Sequence, residues 1–383
     1  MKRLAHFLFI LFVVVACRPA IASVQLEQPT ASPYPDTPSP PKINAPLVEA
    51  PSLLYLDMLN ELDGWGLTNS AIVRTNDGGI TWYDVTPPGL TVEGESLDPV
   101  FLDAAHAWVQ VPDMNNYPDA GTLYRTADGG LTWTFNAVPF SRGHITFLNE
   151  NDGWMMADLG AGAGSMAVSV FVTKDGGVTW SQMFINDPNH PAATETLPLG
   201  GIKGGLVPIN PGTAWIGGVT YSPATVYLYR TDDSGITWSQ VNLELPADAG
   251  SSEAAVAEMK FVNANDGFIA LRITGENYRT AFYATHDSGD TWSLLPTILP
   301  GTGTTDFVSA QEIVFYNGQQ FYVSRDAGGT WSVVESNVVF GDFFASMDFV
   351  SASTGWVITS DASSHRSLYK TADGGATWAA VIP

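Results

Sequence analysis

Thr75-Asn76-Asp77-Gly78-Gly79-Ile80-Thr81-Trp82 is the stretch whose reading decides the fold, because its pattern returns six more times. Ser/Thr-x-Asp-x-Gly-x-Thr-Trp recurs from Thr126 to Trp133, Thr173 to Trp180, Thr231 to Trp238, Thr285 to Trp292, Ser324 to Trp331 and Thr371 to Trp378. Self-similarity at spacings of 39 to 58 residues announces an array of supersecondary units, so the chain is read unit by unit. Each box reads as a tight turn between two strands. Its aspartate (Asp77, Asp128, Asp175, Asp233, Asp287, Asp326, Asp373) folds a carboxylate over turn amides. The glycine two residues later supplies the positive φ. The closing tryptophan (Trp82, Trp133, Trp180, Trp238, Trp292, Trp331, Trp378) begins the next strand and fills space beneath the turn.

Working outward, a short strand precedes each box, such as Ala71-Ile72-Val73-Arg74 or Tyr227-Leu228-Tyr229-Arg230. Earlier lies a second signature, an apolar strand followed by Gly-Trp, at Gly64-Trp65, Gly153-Trp154 and Gly355-Trp356, with Gly267-Phe268, Ala107-Trp108 and Ala214-Trp215 as variants. One unit therefore holds four strands. Four-stranded sheets repeated radially form a β-propeller, which protects the edges that an open array exposes. The expectation is an all-β chain, a seven-bladed β-propeller of four-stranded antiparallel blades over residues 53–383, preceded by a signal peptide and a Pro-rich linker.

The first sixteen residues have the form of a secretory signal: Met1-Lys2-Arg3, then an apolar run from Leu4 to Ala16 too short to span a bilayer stably. Val14-Val15-Ala16-Cys17 resembles the lipobox of bacterial lipoproteins, which implies cleavage before Cys17 and a lipid on its thiol. Cys17 is the only cysteine in the chain, which excludes internal disulfides. Ala20-Ile21-Ala22 is an alternative cleavage site of ordinary small-x-small type. Residues 17–52 hold the anchor cysteine and a proline-rich spacer, expected to be extended and without chemistry. Either cleavage places the protein outside the cytoplasm, with any membrane attachment through the lipid alone.

With 16 basic and 39 acidic residues, the formal net charge is −23. A surface of that sign repels phosphate backbones and anionic headgroups, which excludes nucleic acid and peripheral docking on anionic membrane. All twelve tryptophans are taken up by the two signatures. Tyr117, Tyr221 and Tyr278 are the aromatic residues left for a sugar platform. Rim carboxylates are plentiful (Asp113, Asp119, Asp158, Asp187, Glu195, Asp248, Glu253, Glu258), yet abundance alone makes no catalytic pair. His106, His144, His190, His286 and His365 lack metal-ligand spacing, and Asp113 to Asp119 lacks the glycine and distal glutamate of a calcium loop. No cofactor, metal or catalytic residue is expected. Three long segments, Met155 to Met166, Asn186 to Pro211 and Leu243 to Glu258, are where recognition is expected on such a scaffold.

The box resembles the Asp-box, or bacterial neuraminidase repeat. The full unit, Gly-Trp feeding Arg-Thr-x-Asp-Gly-Gly-x-Thr-Trp, is similar to the photosystem II stability/assembly factor family of seven-bladed propellers. That resemblance implies a non-catalytic, exported, monomeric propeller binding a protein or glycan partner at the cell envelope. It also brings a basic patch, for which Arg74, Arg125, Arg230 and Lys370, just before four boxes, are the candidates. The alternative is a secreted sialidase-like glycoside hydrolase, which needs three arginines on the sialate carboxylate. Outside the boxes and pre-box positions, only Arg142, Arg272, Arg279 and Arg366 follow the linker.

Overall fold

The computed structural model describes residues 43–92, 97–190, 193–250 and 252–382. The signal segment, Cys17 and most of the linker lie outside the described residues. Within them the chain is all β, apart from a 3-10 turn at Gly341–Phe343.

Each repeat unit folds as four consecutive antiparallel strands, as the third repeat illustrates. Gly143–Phe147, Gly153–Gly162, Ser165–Thr173 and Ser181–Ile185 pair in chain order. Strand alternation puts Trp154, Met156, Val168 and Val170 into a buried layer shared with Leu206, Ala214 and Ile216 of the following unit. The second strand's aromatic residue repeatedly stacks on the phenylalanine that ends the next unit's first strand. Ring centroids lie 4.9 Å apart for Trp65 and Phe101, 3.7 Å for Trp108 and Phe147, and 5.3 Å for Phe268 and Phe307. Stacks of this kind, with their buried area, fasten one unit to the next.

The seven-bladed expectation is corrected. Five separate sheets form blades: one of five strands, where Leu47–Val48 adds outside Trp82–Asp84, and four of four strands. The fourth and fifth repeats instead share one nine-stranded sheet between Ile202 and Pro300, joined where Val219 pairs with Ala255. Gly217 permits the join. A Cβ on Gly217 would lie 2.6 Å from Val256 Cγ1, so only a bare backbone lets the fifth unit's first strand come close enough to bond. Repeat counting has no access to that merger. The last sheet, Phe344–Phe349 to Ala379–Ile382, is built wholly from the C-terminal end. Its Trp356, Ile358 and Leu368 share a buried cluster with Leu53, Leu56 and Val73 of the first sheet.

Candidate functional site: an acid-walled passage and the loop-bearing face

All seven boxes make the same hydrogen bonds. In the third, Thr173 Oγ1 donates to Asp175 Oδ1 (2.8 Å), the Thr179 amide to the same oxygen (2.9 Å) and Thr179 Oγ1 to Oδ2 (2.6 Å). The Gly177 amide donates to Thr173 Oγ1 (3.0 Å). Equivalent sets surround Asp77, Asp128, Asp233, Asp287, Asp326 and Asp373. The Thr291 amide and hydroxyl and the Thr285 hydroxyl hold Asp287 down to about 2, and Asp326 and Asp373 are lowered in the same way. Carboxylates so engaged have little capacity left for proton transfer. The indoles of Trp82, Trp180 and Trp238 donate to the box glycine carbonyls at 2.9 to 3.2 Å.

The pre-box cations are also engaged within the sheets. Strand register sets Arg74 opposite Trp65, Arg230 opposite Trp215 and Lys370 opposite Trp356. Their charges lie over those indoles at 4.9, 5.4 and 4.5 Å, a cation–π contact that fixes the side chain along the sheet. Arg125 bonds Thr134 and Asn136 on the adjacent strand. Arg74, Arg230 and Lys370 also reach the next unit, at the Gly129 carbonyl, Asp290 and the Glu61 carbonyl.

In each antiparallel unit the first-to-second turn and the box turn lie at one end of the sheet. The turn between the second and third strands, and the link to the next unit, lie at the other. Bonds such as Gly78 N to Leu62 O (2.9 Å) and Gly176 N to Asn151 O (2.9 Å) tie the box end together. The opposite end carries Tyr117, Tyr221 and Tyr278, whose exposures are 39%, 60% and 62%, together with residues 193–201 and 241–250. Much of the three long segments is in fact regular, since Gly153–Gly162, Ser165–Thr173, Ile202–Pro208 and Glu253–Phe261 are strands. Tyr117 Oη donates to the Asp158 carbonyl at 3.1 Å, and Arg279 pairs with Asp248 at the rim.

First strands of neighbouring units lie side by side, and two cavities that share His144 open along them. Sequence reading singled out Glu258 and His144 from this set and missed Asp57, Asp98, Asp306, Asp348 and Tyr55. The Phe349 amide donates to Asp306 Oδ2 (2.6 Å) and the Met58 amide to Asp348 Oδ2, so these carboxylates also stitch neighbouring first strands. Lys260 Nζ lies 3.7 Å from Asp306 Oδ1. A cavity of 610 Å³ opens among Tyr55, Asp57, Asp98, Val100, His144 and Thr146.

Desolvation dominates the passage. It raises Asp57 to about 6, with Lys260 opposing and Asp306 reinforcing. It raises Asp98 to about 7 against the Ile145 amide and Arg142, and Glu258 to about 7 against Lys260. Asp306 and Asp348 are raised as well, Asp348 also by Asp306 and Asp57, and burial lowers His144. Glu258 and His144 keep solvent-accessible surface although protein surrounds them, as befits the wall of a narrow wet passage. A signal existed in the sequence: Asp57 and Asp348 stand eight residues before Trp65 and Trp356, and Lys260 eight before Phe268. In Leu53–Met58 that charge interrupts an otherwise apolar strand.

The other candidates stay apart. His106, His190 and His286 each contact a nearby aspartate (Asp103, Asp187, Asp266) at 2.9, 2.8 and 2.6 Å. No group of three metal-ligating side chains occurs among the described residues. Asp113 closes its own turn with Asn115 and Asn116.

No protein-family profile matches the chain. Xyloglucanase Xgh74A of Acetivibrio thermocellus is 26% identical over 170 residues, covering 39% of this chain and 20% of the relative. The chain thus spans about a fifth of that relative's length. Among solved structures, YCF48 bound to D1 peptide is similar at 18% identity and TM-score 0.52, covering 86% of this chain and 95% of that one. YCF48 from Cyanidioschyzon merolae gives 17% and 0.52, with 86% and 96% covered. The GH74 xyloglucanase from Xanthomonas campestris gives 11% and 0.58, with 86% and 54% covered. These likenesses show the fold, a β-propeller-like arrangement, and both lines of similarity are distant.

Proposed function

We propose that this chain is an exported, non-catalytic binding propeller, held to the membrane through a lipid on Cys17, that captures an extended, positively charged protein segment. The observation that carries the reading is the placement of exposed Tyr117, Tyr221 and Tyr278 on turns between second and third strands, all at the same end of their sheets. Exposed tyrosines on a rigid scaffold bring contact area at low entropic cost. The preference for positive charge follows from the net charge of −23 and the carboxylate-lined passage. The likeness to a propeller solved with a bound peptide supports the mode of recognition. The test is fluorescence anisotropy of the full chain with extended peptides of positive, neutral and negative charge at low and high salt. Cationic peptides bind, binding weakens with salt, and Tyr221→Ala with Tyr278→Ala weakens it further. Equal affinity for all three charge classes refutes the reading.

A second reading, a glycoside hydrolase, rests on Asp98 and Glu258, whose pKa values near 7 suit a general acid. Its support is the local similarity to a xyloglucanase. A panel of xyloglucan, other β-glucans and fluorogenic sialosides separates the two. Turnover that Asp98→Asn or Glu258→Gln abolishes establishes hydrolysis and displaces the binding reading.

A further inference from the structure

Lys203 is 4% exposed and pairs with no carboxylate among the described residues. It lies in the strand Ile202–Pro208, where the register shifts beside it between Lys203 and Gly205. Its Nζ is surrounded by main-chain carbonyls: Pro198 at 2.7 Å, Met166 and Leu199 at 2.9 Å, Gly201 at 3.1 Å and Gly200 at 3.5 Å. The buried ring of Tyr227 closes the remaining side, its centroid 5.2 Å from Nζ. Four of the five oxygens come from residues 198–201. The fifth comes from the hairpin of Gly153–Gly162 and Ser165–Thr173. The same two segments are bonded by Met166 N to Leu199 O (3.0 Å) and Gly201 N to Gly164 O (2.8 Å).

Two of these oxygens have a second donor, Leu199 O the Met166 amide and Pro198 O the Asn186 side chain (3.4 Å) and Tyr227 Oη (3.5 Å), yet five carbonyl oxygens converging on one buried point favour a cation there. Here the protein supplies the ion from its own strand. We infer that the Lys203 ammonium acts as an internal cation that latches residues 198–201 onto the neighbouring hairpin, setting the shape of this part of the loop-bearing face. Burial lowers its pKa to about 8, so the ammonium form persists at neutral pH. The Tyr227 hydroxyl is the titratable group beside it, and burial raises it, so it offers no counter-charge. The latch concerns the order of the loop and stands independently of what the face binds.

The test is limited proteolysis and hydrogen exchange of the full chain, comparing wild type with Lys203→Ala, then adding ethylammonium or propanol at equal concentration. Cleavage within 193–201 rises at least tenfold in Lys203→Ala, the sheet at 313–324 stays protected, and ethylammonium restores protection while propanol does not. Unchanged protection in the variant, or rescue by propanol equal to that by the amine, overturns the inference. Should the variant fail to fold, wild type alone decides. The Met166 and Gly201 amides must exchange as slowly as sheet amides, and loop-like exchange there overturns the latch.

Discussion

The Trp356 indole Nε1 donates to the Gly78 carbonyl at 3.0 Å, across a sequence separation of 278 residues. It joins the last sheet to the box turn of the first, as Trp108 Nε1 joins the Gly176 carbonyl at 2.9 Å between adjacent sheets. With the Met58–Asp348 bond and a shared apolar cluster it fastens the first sheet to the last, and among the described residues no strand is exchanged between them.

Trp356→Phe keeps the aromatic packing and removes that donor. The buried carbonyl loses its partner, at a cost of about 1 to 2 kcal/mol. Urea unfolding should show the midpoint falling with an unchanged slope. Lys370 loses its indole as well, so Trp356→Leu should cost more than Trp356→Phe.

A single box can be tested at Asp175. Asp175→Ala removes three accepted hydrogen bonds and leaves the Thr179 amide dependent on solvent, for an expected loss of about 2 kcal/mol. Asp175→Asn retains part of the set and should cost less. Because this box lies at the end opposite Tyr221 and Tyr278, peptide affinity should stay unchanged in the folded variant. A drop in affinity without a drop in melting temperature would place the box carboxylate in the binding site.

Stability should fall as pH rises from about 5 to 7.5. Asp57, Asp98 and Glu258 have folded pKa values raised to about 6, 7 and 7, above the unfolded range near 4. The folded chain thus binds more protons in that window, and this contribution is lost as pH passes the folded values. Asp287, near 2, and the lowered Asp326 and Asp373 act oppositely. Their contribution is present above about pH 4 and lost on further acidification. Melting curves at pH 3, 5 and 7.5 should peak at pH 5, and Asp98→Asn should flatten the descent toward 7.5. A higher melting temperature at pH 7.5 than at pH 5 would refute the assignment.

Gly217→Ala tests the merged sheet. The added methyl meets Val256 at 2.6 Å, so the Val219–Ala255 pairing must open or shift. The amides around residues 219 and 255 should lose exchange protection, while the boxes at Thr231 and Thr285 keep theirs.

The box pattern was legible because its chemistry is local. A carboxylate reaching amides four residues on, a glycine at positive φ and an indole returning over its own turn are all encoded within eight residues. The Gly-Trp strand was legible for a related reason, since pairing with the pre-box strand is set by the short distance between them. The roles of Arg74, Arg230 and Lys370 were not. Their indole partners are fixed by register across a hairpin, so the side chains read as a surface patch also lie over indoles inside the sheets.

By itself, then, the sequence determined the β class, the four-stranded unit and the boxes, because each depends on neighbours in the chain. Only the tertiary structure decided the sheet count, since the join at Val219 and Ala255 depends on how closely two backbones approach. It alone set Asp57, Asp98, Glu258, Asp306 and Asp348 on neighbouring first strands. The desolvation of all five, and the repulsion that Asp306 and Asp57 exert on Asp348, exist only once distant strands stand side by side.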